Sequence, residues 1–353
     1  MKKLVFCLVL VVFVSALFAE VAITKIWEEP CGMILAEAGT SPLPDGHASD
    51  YFRGMAVYDN FLLVVRRDVP EVKFYSIEDG SELTGMSLSL TGVQASNYGI
   101  SRAMFAEDGA LYAANLVVQV DGEDPVLHGP FRVYRWADVD ADPELIYEND
   151  FDGIDRMRLG DGFTVRGAGE DTKILVSGNH VDSHPVLIER EGGAWVGSIK
   201  ANPVQGIDLY LNEDGTFWRS VYSSSVSFQK FDETGASIDG SEINLGAIYN
   251  PPAIAAFTID EEADIIYTIG LRRDVVGDTT YHNNRVIGWN LNGVPVFDSE
   301  PFEINPDRAG FWNGTGAMRF DADGNLYVLL ERHGVARYDI ELVTSATTWT
   351  LFH

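Results

Sequence analysis

Hydrophobic residues in this chain fall in short runs, joined in pairs by an acidic or Gly-bearing turn. The pattern recurs six times: MAVYDNFLLVV (55–65), AMFAEDGALYAA (103–114), TVRGAGEDTKILVS (164–177), LYLNEDGTFWRS (209–220), FTIDEEADIIYTI (257–269) and MRFDADGNLYVLL (318–330). Alternation with period two marks a half-buried strand, and a Gly-containing turn between two such runs folds them into a hairpin. A third alternating run follows each hairpin: EVKFYSI (71–77), FRVYRW (131–136), VLIER (186–190), SFQKF (227–231), NRVIGWNL (284–291) and VARYDI (335–340). A fourth, weaker run completes the unit: SELTGMSL (81–88), ELIYEN (144–149), WVGSIK (195–200), SIDGSEI (237–243), VPVFDSE (294–300) and TSATTWTLF (344–352). No segment carries an amphipathic helical pattern of any length.

Self-similarity at roughly 40–60 residues is the mark of a propeller or another repeat array. Six four-stranded units left open would expose long strand edges, whereas radial closure hides most of them. The pattern therefore predicts an all-β fold, a six-bladed β-propeller of four-stranded antiparallel blades. It forms one domain over residues 20–353, with the blades from 53 onward. A solenoid or a pair of sandwiches is the alternative, but units this long are unusual for a β-solenoid coil. VAITKIW (21–27) reads as a further strand, expected to pair with the last blade and help close the ring. Residues 29–52, rich in Gly, Pro and Ala, read as an irregular linker.

The first 19 residues change the picture of where the chain works. Lys2 and Lys3 precede an apolar run, Leu4 to Phe18, and Ala19 is a small residue at the expected cut. This is the layout of a secretory signal peptide, and the run falls short of the about 20 apolar residues that span a bilayer. A secreted or periplasmic bacterial protein is expected, with no membrane span after removal of the leader. Cys7 would leave with it, so Cys31 would stand alone and no internal disulfide is expected.

The chain holds 25 Lys and Arg against 53 Asp and Glu, a formal net charge of −28. Losing Lys2 and Lys3 deepens the deficit by two. Nucleic acid and anionic membranes are poor partners for such a surface, because binding them needs basic residues to displace counterions, and no nucleic acid is expected. The acidic excess suits solubility, cations or a basic partner. At 46% hydrophobic residues the chain is not of disordered composition.

Blade-like repeats with Asp-Gly hairpins resemble the bacterial propellers that include the NHL, YVTN and SMP-30-like families. RGMAVYDNFLLVV, SRAMFAEDGALYAAN and FRVYRW also resemble an uncharacterised family of secreted bacterial propellers. The resemblance covers most of the chain after the leader and implies fold rather than activity. SMP-30-like lactonases hold a metal with acidic and amide residues around the central channel. No motif of theirs can be matched here residue by residue, so no role is carried over.

Antiparallel order puts the first-to-second and third-to-fourth turns of every blade on one rim, the turn rim. The second-to-third loops and the blade-to-blade connections share the other, the loop rim. Three second-to-third segments read as long irregular loops: Asn115–Pro130, Gly178–Pro185 and Gly270–Asn283. Five of the seven histidines fall in such loops: His128, His180, His184, His282 and His333. Arg53, Arg102, Asp161, Asp208, Asn250 and Asn313 stand at the starts of the innermost strands, near the axis. Arginines there suit an anion or a sugar, or else simply tie blades together; Asp and Asn oxygens suit a calcium-like ion. The candidate ligand-binding set is Arg53, Arg102, Asp161, Asp208, His180, His282, Asn313 and His333, with Tyr222, Tyr281 and Trp312 as stacking platforms. No cofactor is expected, calcium being the alternative.

Other patterns carry less. In DVDAD (138–142), Pro143 stands where a calcium loop needs its turn Gly. His180 and His184 have helical zinc spacing in strand-rich surroundings, and GAGED (167–171) has no phosphate-binding Lys. Ser223 to Ser225 lack a nucleophile signature. No motif specifies a reaction. The expectation is a module binding a protein, glycan or small molecule on the loop rim. The alternatives are a hydrolase or lyase acting on a sugar or lactone-like molecule with a divalent cation, and a structural element of the cell envelope.

Overall fold

The computed structural model describes residues 20–29, 52–66, 71–94, 99–118, 129–151, 158–221, 228–245, 254–276, 279–300, 302, 316–330 and 334–343. Strand β1 (Glu20–Glu29) precedes the blades. Blade one is β2 (Phe52–Tyr58), β3 (Phe61–Arg66) and β4 (Glu71–Ser76). Blade two is β5 (Ile100–Phe105), β6 (Leu111–Asn115), β8 (Phe131–Trp136) and β9 (Glu144–Asn149), with the two-residue β7 (Val117–Val118) between β6 and β8. After β10 (Arg158–Leu159), blade three is β11 (Gly162–Arg166), β12 (Lys173–Ser177), β13 (Val186–Glu191) and β14 (Ala194–Ile199). Blade four is β15 (Asp208–Leu211), β16 (Phe217–Ser220) and β17 (Phe228–Phe231). Blade five is β18 (Ile254–Asp260), β19 (Ile265–Val276), β20 (Thr279–Asn290) and β21 (Pro295–Asp298). Blade six is β22 (Gly316–Phe320), β23 (Leu326–Leu330) and β24 (Gly334–Val343).

Each blade is an antiparallel sheet in chain order. The first strands pack side by side in sequence, β2 on β5, β5 on β11, β11 on β15, β15 on β18 and β18 on β22, and β22 returns to β2. That circuit makes the molecule a six-bladed β-propeller. The core is divided accordingly: six clusters of buried apolar residues each bridge one pair of adjacent blades. Second strands such as β3 (FLLVVR), with five of six residues buried, are covered on both faces and so lose their polar alternation.

The ring closes through its N-terminal strand. β1 pairs antiparallel with β24 over Glu20↔Val343 to Glu29↔Val335 and takes the outermost place in blade six, next to β24. The fourth run expected there, 344–352, lies outside the described residues. The expectation of four strands in every blade needs correction in blades one and four, which have three among the described residues. In blade one only an isolated bridge forms, Tyr75↔Glu82, and the chain then bonds to blade two: Trp136 Nε1 donates to the Ser89 carbonyl at 2.8 Å and the Gln94 N–H to Tyr134 Oη at 2.8 Å. In blade four, Gly240 takes a left-handed φ of 77° and leaves only isolated bridges, Phe228↔Ile243 and Phe231↔Ser237.

The irregular loop expected at Gly270–Asn283 is also corrected. β19 and β20 continue there as one ribbon, paired without interruption from Ile265↔Asn290 to Val276↔Thr279. In the Asn115–Pro130 segment, Val117 and Val118 pair with Leu159 and Arg158. No helix among the described residues is long and apolar enough to cross a membrane, which says nothing of strands.

Candidate functional site

The innermost strands all begin on the loop rim, and their first residues meet at the axis. Arg53 stands on a bulge of β2, where the register steps from Phe52↔Arg66 to Gly54↔Val65. A bulge re-aims the side chain it carries. Gly54 brings blades one and two together, since a Cβ there would lie 2.9 Å from Arg102 Cα. Arg53, Arg102, Asp161 and Asp208 are thus gathered at the axis, each only 1–2% exposed.

Arg102 acts as a clamp. Its Nε donates to the Asp161 carbonyl at 2.5 Å, and Nη1 to the carbonyls of Arg53 at 3.0 Å and Gly316 at 2.5 Å. Nη2 donates to the Ile207 carbonyl at 3.1 Å. One guanidinium on blade two therefore bonds the inner ends of blades one, three, four and six. Burial draws its pKa down to about 10; Asp208 and Asp161 oppose the fall, and Arg53 and Arg319 add to it.

Asp161 receives a two-pronged Arg158, Nε to Oδ2 at 2.5 Å and Nη2 to Oδ1 at 2.8 Å, and the Asn179 N–H at 2.8 Å. Burial alone would raise this carboxyl, but Arg158, Arg53 and the Asn179 N–H override it and hold it far below the usual range. The β7–β10 pair fixes Arg158, and Gly178 admits its backbone: a Cβ on Gly178 would overlap the Arg158 carbonyl at 1.7 Å. Gln205 Nε2 donates to Asn179 Oδ1 at 3.0 Å, extending the network over blades three and four. Asp208 accepts the N–H groups of Leu209 at 3.0 Å and Phe257 at 3.2 Å. Its carboxyl is raised by burial, against the pull of Arg319 and Arg102.

Arg53 differs from its neighbours. Nη2 lies 3.8 Å from Asp161 Oδ1, yet none of its three nitrogens makes a hydrogen bond among the described residues. Among the described residues four guanidiniums (Arg53, Arg102, Arg158, Arg319) face two carboxylates (Asp161, Asp208), an excess of two positive charges inside an acidic protein.

His180 is on the same rim, beside Asn179; its Nδ1 accepts the Asp182 N–H at 3.3 Å. His184 is bonded to the Lys200 carbonyl at 2.8 Å. His282 has a described backbone in β20, opposite Arg273. His128, Tyr222, Asn250, Trp312, Asn313 and His333 lie outside the described residues. Sequence reasoning passed over Arg158, Asn179, Gln205 and Arg319. The missed signal for Arg319 is a charge inside an otherwise core-facing strand, GAMRF.

On the turn rim several acidic groups are taken up by their own turns. Asp232 Oδ1 accepts the N–H groups of Thr234 at 2.8 Å and Ala236 at 2.9 Å, and Asp321 Oδ1 those of Asp323 at 3.0 Å and Asn325 at 2.9 Å. Asp138 and Asp142 bond to the Asp140 N–H and the Ser89 hydroxyl. Among the described residues no three His, Cys, Asp or Glu side chains are grouped to hold a metal. A turn-rim cleft of about 330 Å³ is lined by Glu107, Arg166 and Lys173, but Arg166 is already paired with Glu261 at 2.6 Å. A groove of about 400 Å³ opens between blades three and four over Leu175, Leu211 and Phe217.

No protein-family model matches this sequence, and neither does any curated protein. Among solved structures, the fold is similar to a DUF4623 family protein from Bacteroides eggerthii, with 15% identity, 83% of this chain and 72% of that chain covered, and a TM-score of 0.54. The WD40 propeller domain of Doa1 aligns at 14% identity over 82% and 78% of the two chains, TM-score 0.45. YCF48 bound to D1 peptide aligns at 12% identity over 85% and 79%, TM-score 0.44. The class is a β-propeller. The NHL, YVTN and SMP-30-like resemblance gains no sequence match.

Proposed function

We propose that this chain is an exported binding module that engages a protein, glycan or small molecule on its loop rim, at the axial mouth. The observation that supports the reading is the contrast between the rims. Turn-rim carboxylates such as Asp232 and Asp321 are bonded to their own turns, whereas the loop rim gathers buried charge, with the three Arg53 nitrogens unmatched by acceptors among the described residues. Buried polar groups are ordinarily paired, so a buried guanidinium with all three nitrogens unpaired calls for a partner, water or another molecule. Export is supported by the leader-like run of residues 4–18, and a cut after Ala19 would leave β1 whole. Catalysis is the weaker reading. Asp161, locked between guanidiniums, is a poor proton donor at neutral pH, and both Asp208 oxygens are bonded to backbone N–H groups.

Glycan and peptide arrays probed with the purified protein test the reading. Arg158→Ala and Gln205→Ala are expected to abolish the retained signals, while Asp232→Ala on the turn rim leaves them. The reverse pattern would move the binding face to the other rim. Export predicts a cell-envelope or medium product whose N-terminus is Glu20.

A further inference from the structure

We propose that the axial mouth binds an oxyanion, a carboxylate or phosphate group, gripped by the Arg53 guanidinium. The proposal rests on the loop-rim reading and names the chemistry of the group that enters there. A guanidinium offers a planar fork of N–H donors that matches two oxygens of such a group. At Arg53 that fork is 1% exposed and forms no hydrogen bond among the described residues. The nearest carboxylate, Asp161, is turned to Arg158 and stands 3.8 Å from Arg53 Nη2. It therefore supplies charge to Arg53 without satisfying its donors. Arg102, by contrast, directs four hydrogen bonds to backbone carbonyls, and Arg158 is turned to Asp161. Those carbonyls carry no formal charge, so the positive excess at the axis persists. A buried charge left without a hydrogen-bonded counterpart is strongly destabilising, and an anion at this point removes that penalty. The acidic exterior narrows the choice further: anions are repelled from the rest of the surface, and the axis is the local positive well. Because Arg53 is buried, the group that reaches it is a small free anion or a slender terminus such as a peptide carboxylate.

The test is calorimetric titration and thermal melting of the purified protein, at ionic strength held constant with sodium chloride. The probes are sodium phosphate, sodium acetate, a tetra-alanine peptide with a free carboxyl terminus, and its amide. Saturable binding with a matching rise in melting temperature is expected for at least one oxyanion. A response to phosphate or acetate alone assigns the site to a free anion. A response to the free peptide but not to the amide assigns it to a chain terminus.

Arg53→Met is expected to fold, because it replaces a guanidinium lacking hydrogen bonds by an apolar side chain of similar length. It should melt no lower than the parent in oxyanion-free buffer and lose the response. Arg53→Lys, which keeps the charge and loses the fork, should weaken binding about tenfold or more. No saturable response from any probe in the parent protein overturns the proposal, as does a response that survives in Arg53→Met. Array signals lost in Arg158→Ala with no oxyanion response would sink this proposal and leave the loop-rim reading standing. An Arg53-dependent oxyanion response without any array signal would do the opposite to the partner reading.

Discussion

At the scale of single residues the axis is held by two unlike devices, and each makes its own prediction. Arg102 satisfies four carbonyls on four blades with one side chain. Arg102→Met fills a similar volume but leaves those acceptors unpaired, at about 1–3 kcal/mol for each one that stays dry. We expect urea unfolding to show a loss of about 3 kcal/mol or more, with little recovery in Arg102→Lys, whose ammonium cannot reproduce the fork. A loss below about 1 kcal/mol would mean that the clamp is redundant. Asp161 makes a pH prediction. Its folded pKa lies below the ordinary value of about 3.9, so its contribution is complete above that value and is lost as pH falls through and below it. Asp208 is raised and works in the opposite sense, but it is common to parent and variant. Asp161→Asn should therefore destabilise the protein at pH 7 by about 3–5 kcal/mol, as breaking a buried pair does. It should also flatten the fall of melting temperature between about pH 5 and about pH 3, and an unchanged acid limb would show that other carboxylates set it. Arg53, Arg102, Asp161 and Asp208 were legible in the sequence because blade periodicity fixes which residues stand at the inner strand starts. Arg158 and Gln205 were not, because they sit in connections, where no period assigns a direction.

At the scale of elements, β1 decides whether the ring is shut. Trp27 is its anchor: Nε1 donates to the Ile77 carbonyl of blade one at 3.0 Å while the ring packs 6.1 Å from that of Tyr327 in blade six. Gly80, at a left-handed φ of 74°, makes room, since a Cβ there would lie 2.8 Å from the indole. Arg337 of β24 donates to the same Ile77 carbonyl at 3.0 Å, so the junction of blades six and one is sewn twice. Trp27→Ala should cost about 3 kcal/mol, the low end for a large aromatic because the side chain is only partly buried. In differential scanning calorimetry it should broaden the transition, as blades six and one come apart before the rest. A sharp transition at the parental temperature would show that β1 is dispensable. The six hairpins were readable because each joins two short apolar runs through an acidic or Gly-bearing turn, a signal that survives even where strands such as β3 and β6 are buried on both faces. The ribbon beyond Gly270 was not: LRRDVV and TTYHNN carry no unbroken apolar alternation, yet their backbones pair without interruption. The fourth strands of blades one and four failed for the reverse reason. SELTGMSL has the alternation, but its neighbours are drawn into bonds with blade two.

At the scale of the whole molecule, two charge distributions of opposite sign act over different distances. The sequence as a whole carries −28, while the described axis carries a small positive excess. Exposed ion pairs offset little of the surface repulsion. Pairs such as Arg66–Glu71 at 3.0 Å and Arg190–Glu170 at 2.9 Å contribute about 0–1 kcal/mol each and, like the repulsion, weaken in salt. Carboxylate–carboxylate repulsion summed over the exterior therefore dominates the long-range part. Sodium chloride reduces the screening length from about 30 Å at about 0.01 M to about 3 Å at about 1 M. Over that range it silences the exterior but leaves the dry contacts of Arg102 and Asp161 almost untouched. The melting temperature at pH 7 should rise with sodium chloride by several degrees, smoothly and without saturating at low concentration. A fall would mean that surface ion pairs outweigh the repulsion. An oxyanion acting at the axis has a different signature at matched ionic strength, a saturable rise that depends on one arginine. The ring makes both effects global, because each blade packs on its two neighbours, Arg102 ties blade two to blades four and six across the axis, and the circuit is closed while β1 stays paired. Stabilising the inner strand starts of any blade stabilises the closed state of all six. In Trp27→Ala, where the circuit is loosened, the oxyanion-induced shift should accordingly shrink on the blade-six transition while persisting on the remainder.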